Sequence, residues 1–327
     1  MRFRIVASLG ALAVLSGCIL YAPVDLGALG SPGKLQETVV LGRAGAKLAL
    51  IEVSGVIAEA DSRSRIGISE RPGLIVETRN ALDRAAADED VVGGLLRINS
   101  PGGSVSASDT LHHEIESWKS EHKHPVVAYL NGIATSGGYY VAMASDRVIA
   151  HPSSVTGSIG VVMPGLSIEG LMEKYGVVDQ TLTSGKFKDA GTLLRDMSSE
   201  ERVQLSSVIN DLFARFVDIV VKGRPELSRE EITTLADGRV YSARQALESG
   251  LVDELGYLED AVEELETRAG ISESRVVTYH RANQTRENIY SRGPNISVQV
   301  TDVNLLPIRR SELAPGFYYL WPGALEP

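Results

Sequence analysis

Residues 126–168 run for 43 positions with Asp146 and Arg147 as the only acidic or basic side chains, His151 aside. At the chain's 23% usage of charged residues, about ten would fall there. So little charge means burial, and this stretch must form the centre of whatever fold surrounds it. Residues 126–145 are uncharged and long enough to cross a bilayer. Asn131, Gly132, Ser136, Gly137 and Gly138 in their midst make a poor lipid-facing helix, and the flanking pattern fits a sheet core.

The flanks alternate between strand and helix periodicity. The first folded element is expected at residues 46–57, "AKLALIEVSGVI", after a Gly- and Pro-containing tether over 19–45. The polar run 59–73 is expected to be a mobile surface loop. A helix over 74–87, a strand over 91–98, a helix over 106–120 and a strand over 125–130 follow. Such alternation indicates right-handed βαβ units on a largely parallel sheet, so the fold class is α/β. From Ser198, apolar positions Leu205, Val208, Leu212, Phe216 and Val220 mark one face of an amphipathic helix. Ser198 with Glu201, Ser228 with Glu231 and Ser242 with Gln245 are three capping boxes, each opening a helix. Beyond residue 270 lie an alternating strand pattern, "SVQVTDV", and an aromatic cluster, "PGFYYLWPG", expected to pack on the body or on a neighbouring subunit.

The amino end carries a different signal. Arg2 and Arg4 precede an apolar segment over residues 5–15, and "LSGC" ends at Cys18, the single cysteine. The apolar run is too short for a mature membrane helix. It resembles a bacterial lipoprotein precursor, with residues 1–17 removed and Cys18 lipidated. Acyl chains there would anchor the exported chain to a membrane on its non-cytoplasmic side. The formal charge of −10, with no basic run, excludes a general nucleic-acid binder.

No metal, nucleotide or dinucleotide motif is present: Ser117 stands where a zincin's second histidine would follow His113, and the chain lacks a Walker loop and a GxGxxG turn. Acyl chemistry fares better. "RINSPGGSV" ends a strand in Gly102 and Gly103, where side-chain-free backbone can turn amides outward as oxyanion donors. "NGIATSGGYYVAMASD" sets Ser136 at a strand-to-helix turn with the Gly137 amide beside it; Ala134 breaks the G-x-S-x-G elbow. No histidine stands in a context fit for a base. A lysine serves when dry surroundings keep its amine neutral, and "TLTSGKFKDAG" offers Lys186 and Lys188.

In this order, "RINSPGGSV", "NGIATSGGYYVAMASD", "SSVTGSIGVVM", "TLTSGKFKDAG" and "ADGRVYSARQALESGLVDELG" resemble the signal peptide peptidase A family of serine-lysine proteases, over residues 48–269. The resemblance implies a Clp protease/crotonase-like fold of repeated ββα units and a peptidase domain over 46–270. It maps the nucleophile onto Ser136, the general base onto Lys188 and the lysine-orienting serine onto Ser158. The oxyanion hole maps onto the backbone amides of Gly103 and Gly137. No cofactor is implied; hydrophobic extended peptides, such as remnant signal peptides, are the implied substrates, and a homo-oligomeric ring the implied assembly. The chain departs from the family in its lipobox, where a transmembrane helix is usual. Ile19 stands where inner-membrane lipoproteins carry aspartate, which leaves inner and outer membrane both open. A catalytically silent peptide-binding scaffold, and a crotonase-type enzyme acting on acyl-CoA, are the competing readings; an exported protein meets no CoA pool.

Overall fold

The computed structural model describes residues 35–59, 62–63, 70–71, 73–281, 286–291 and 316–324. Strands β1 (Gln36–Leu41) and β2 (Ala46–Ser54) lead into a short pair, β3 (Ser62–Arg63) with β4 (Glu70–Arg71). Next come α1 (Leu74–Ala86), β5 (Val91–Ser100), β6 (Gly102–Ser104), α2 (Val105–His122), β7 (Val126–Thr135) and α3 (Gly137–Ala142). Strands β8 (Arg147–Ala150) and β9 (Val155–Gly157) precede α4 (Glu169–Lys174), α5 (Ser199–Gly223) and α6 (Arg229–Leu235). The remaining elements are β10 (Val240–Ser242), α7 (Ala243–Glu248), β11 (Glu254–Leu255), α8 (Leu258–Ala269), β12 (Ser274–His280) and β13 (Tyr318–Leu320).

The main sheet has the order β1-β12-β2-β5-β7-β8-β11, with β9 added to β7 and β10 to β9. Its inner pairs are parallel; the antiparallel pairs, β1 with β12 and β10 with β9, lie at its margins. This is the expected α/β architecture, and it is the Clp protease-like one. Successive strand residues serve opposite faces. Leu96, Ile98, Ala128 and Leu130 join one core with α2, α3 and α5, while Leu95, Val127 and Tyr129 join another with Leu258, Val262 and Leu265 of α8. The charge-poor stretch lies at the centre. Its two charges mark the lower rim: Asp146 accepts from the Val126 amide (2.8 Å) and from Lys119 (3.1 Å), and Arg147 pairs with Asp253 (3.3 Å).

Two expected boundaries are corrected. The tether placed over residues 19–45 contains β1, paired antiparallel with β12. In turn β12, beyond the boundary placed at residue 270, lies inside the sheet against β2. The peptidase sheet therefore draws strands from both sides of the 46–270 span, because edge pairing is decided by partners distant in sequence. All three capping boxes are formed as read. Cys18, the "SVQVTDV" stretch and most of the loop over 59–73 lie outside the described residues. Among the described residues no helix is long and apolar enough to cross a membrane.

Strand β7 changes partners along its length. It pairs with β8 as far as Leu130 and with β9 from Ile133 onward. Against β5 the register jumps from Ile98↔Leu130 to Ser100↔Ala134, so two surplus residues of β7 bulge opposite Asn99. The Asn99 side chain accepts from the Ile133 amide (3.2 Å) and fixes the bulge. The strand then turns into α3 at Ser136.

Candidate active site

Ser136 is held on a strained elbow. Its φ of 54° and ψ of −116° lie where non-glycine residues rarely go, at a cost on the order of 1–3 kcal/mol. The backbone around it is fully tied. Its amide donates to the Gly157 carbonyl (2.7 Å), and its own carbonyl accepts from the Tyr140 amide (2.8 Å). Tyr139 and Tyr140 are fully buried and anchor α3 through hydroxyls that donate to the Leu251 carbonyl (2.7 Å) and to Asp109 (2.5 Å). The residue is 1% exposed, yet its Oγ has no hydrogen-bond partner. A buried hydroxyl left unmatched costs about 1–3 kcal/mol, which a purely structural serine would not incur to advantage.

Gly137 and Gly138 follow because the turn passes against other backbone. A Cβ on Gly137 would stand 2.4 Å from the Ser108 hydroxyl and 3.1 Å from the Gly102 Cα, and one on Gly138 would stand 2.8 Å from the Ser100 carbonyl. The turn is pressed onto α2 and onto the β5–β6 corner. That closeness brings the "SPGG" and "TSGG" motifs together.

Ser158 enters from the other side. Strand β9 pairs Gly157 with Thr135, so the "TGSIG" motif abuts the elbow directly. Ser158 also has positive φ (52°), is buried, and donates its amide to the Arg239 carbonyl (2.7 Å). Thus Ser136, Gly137, Gly103 and the Ser158 turn converge, as expected. Among the described residues no group of three or more metal-ligating side chains comes together.

Lys188 does not join them within the chain. It is exposed, and its described backbone bond goes only to its own loop, at the Gly185 carbonyl (3.0 Å). Neighbouring Lys186 pairs with Glu200. Both lysines ride on an arm spanning residues 163–197, closed on itself by the Ile168 amide donating to the Leu193 carbonyl (2.8 Å) and the Asp196 amide to Glu169 (2.7 Å). Sequence motifs gave no hint of its anchor. Arg195 bonds Asp189, next to Lys188 (3.0 Å), and Glu201 in the capping box of α5 (2.5 Å). The Arg195 guanidinium, with the Ser198 amide, holds the Glu201 carboxyl down at about 2. The arm is unusually apolar outside: Leu166, Tyr175, Val178 and Leu182 are 60%, 70%, 73% and 97% exposed, with Phe187 exposed beside Lys188. Contiguous apolar surface of this kind marks an interaction site.

Residues 119–272 match the model of peptidase family S49. A putative signal peptide peptidase SppA of Enterococcus faecium is 35% identical over 76% of this chain and 72% of its own length. The chain belongs to peptidase family S49. It is a serine peptidase. Another S49-like relative, the putative protease slr0021 of a Synechocystis strain, is 36% identical over 70% of this chain and 77% of its own. Protease 4 of Haemophilus influenzae is 31% identical over 67% of this chain, which spans 34% of that larger protein. The S49 match covers β7, α3, β9 and the arm, so Ser136, Ser158 and Lys188 all fall inside it.

Proposed function

We propose that this S49 peptidase is a membrane-anchored endopeptidase that cleaves extended hydrophobic peptides, remnant signal peptides among them, with a Ser136–Lys188 dyad. The observation that carries this reading is the unpartnered, buried Oγ of Ser136 on a strained elbow between two glycine-rich backbone turns. Neutral Lys188 takes the Ser136 proton as Oγ attacks the peptide carbonyl. The oxyanion forms against the Gly103 and Gly137 amides, the protonated lysine passes its proton to the leaving amine, and water then hydrolyses the acyl-enzyme. Ser158 orients the lysine amine. A lysine base works only as the free amine, so activity declines toward acid pH.

In one chain alone the lysine is bathed in water. The apolar arm supports assembly with further copies, in which it is covered and Lys188 meets the Ser136 of another copy, consistent with the ring expected from the sequence. Lipidation of Cys18 would hold that assembly on the non-cytoplasmic side of a membrane.

Complementation tests this directly on an unstructured hydrophobic peptide. Ser136→Ala and Lys188→Ala each lose at least about a thousandfold in kcat/KM. Equal amounts of the two variants, dissociated and reassembled together, regain about a quarter of wild-type activity, since one site in four pairs an intact serine with an intact lysine from another chain. No recovery rejects a dyad shared between copies. Full activity in either single variant rejects the dyad itself.

A further inference from the structure

Strand β13 occupies an unusual place. It is not part of the main sheet but lies between two backbone edges that frame Ser136. On one side it pairs antiparallel with β6, Tyr319 opposite Gly103. On the other, the Tyr318 amide and carbonyl exchange reciprocal bonds with Val162 (2.9 Å each). Strand β6 uses its remaining edge on Ile57, whose amide donates to the Gly102 carbonyl (2.9 Å) and whose carbonyl accepts from Ser104 (2.9 Å). An extended peptide bound by strand addition would lie as β13 does.

The register is informative. The Trp321 amide donates to the Pro101 carbonyl (2.9 Å) and the Val105 amide to the Phe317 carbonyl (3.2 Å). Bonded pairs alternate along an antiparallel ladder, so Gly103 and Tyr319, midway, are also in the bonded phase. The Tyr319 carbonyl oxygen thus faces the assigned oxyanion donors. A Cβ on Gly102, at φ +98°, would stand 2.0 Å from that oxygen and 2.7 Å from the Gly137 nitrogen. The Tyr319 ring is fully buried, 5.0 Å from Tyr140 and 4.6 Å from Phe216 between centroids, and its hydroxyl donates to the Leu212 carbonyl (2.8 Å).

We propose that residues 317–321 fill the substrate cleft in the manner of a substrate, with Tyr319 at the position whose carbonyl meets the oxyanion donors, so that incoming peptides compete with the chain's own segment. The slot between Tyr140 and Phe216 then takes an aromatic side chain from the peptide. The proposal rests on the peptidase site assigned above, but its test does not require turnover. A fluorescent peptide, Gly-Phe-Tyr-Tyr-Leu-Trp, is titrated into the full chain carrying Ser136→Ala, with and without Tyr319→Ala. Weakening the internal competitor is expected to tighten peptide binding at least about tenfold, since apparent affinity scales with the fraction of open cleft. Replacing the second tyrosine of the peptide by Ala weakens binding by a similar factor.

Equal affinity for both proteins, or no binding to the Tyr319→Ala protein, overturns the proposal. If that variant does not fold, hydrogen exchange on the Ser136→Ala chain decides. Saturating peptide should deprotect the Tyr318 and Tyr319 amides while Gly103 stays protected, and unchanged exchange at all three refutes the idea. Loss of hydrolysis in Ser136→Ala, measured separately, tests the peptidase assignment alone.

Discussion

The elbow that carries Ser136 and the arm that carries Lys188 are built in opposite ways. Around the serine, every backbone group is tied, the side chains beneath are fully buried, and neighbouring turns touch through missing Cβ atoms. The arm contains α4 without one buried residue, presents apolar side chains to water, and is fastened chiefly through Arg195. The nucleophile and its oxyanion donors are therefore finished products of folding. The base is delivered on a part whose surroundings are completed from outside the chain.

Substitutions of matched kind in the two regions should separate sharply. Gly137→Ala has the largest expected effect: its methyl meets Ser108, Gly102 and Tyr319 together. Overpacking of this sort costs about 1–3 kcal/mol, read as a lower midpoint in urea, and activity should be nearly lost. A midpoint equal to wild type would show that the elbow yields. Arg195→Leu comes next. It should lower kcat by roughly tenfold to a hundredfold through misplacement of Lys188, while thermal unfolding moves little. Unaltered kcat would mean that the arm is positioned by other contacts.

A smaller effect is expected beneath the elbow. Burial holds the imidazole of His112, edge-on to Tyr140, down at about 4. The folded chain thus keeps His112 neutral where the unfolded chain, near 6.5, takes up a proton. Its contribution is complete above pH 6.5, and about 3 kcal/mol is lost as pH falls toward 4. In His112→Gln the urea midpoint should fall less steeply across that window, and an identical slope refutes the assignment. Smallest of all, Gly185→Ala in the arm has open space around it and should leave both stability and activity at wild-type levels.

The elbow was legible because its constraints are local. A serine followed by two glycines reports a turn pressed against backbone, and the three capping boxes each lie within four consecutive residues. The strands at the sheet's margin were not. "QETVVL" is too short and too mixed to announce β1, and its partner His280 lies 244 positions from Gln36, so only the assembled sheet reveals the pair. Arg195 likewise looks like one surface arginine among many until Glu201 and Asp189 converge on it. Tyr319 was visible only as a member of an aromatic cluster; its function-bearing atom is a carbonyl oxygen, which every residue has and no motif can mark.

The partner exchange along β7 has a consequence for how this protein can diverge. Two residues are spliced between its ladders, an even number, so the pleat keeps its parity across the join. Removing or adding one residue among 131–133 would leave each ladder able to form yet turn the following side chains over, sending the hydroxyl of Ser136 to the wrong side of the sheet. Length variation in this lineage is free to accumulate in surface loops, while this three-residue splice must change in steps of two or stay as it is.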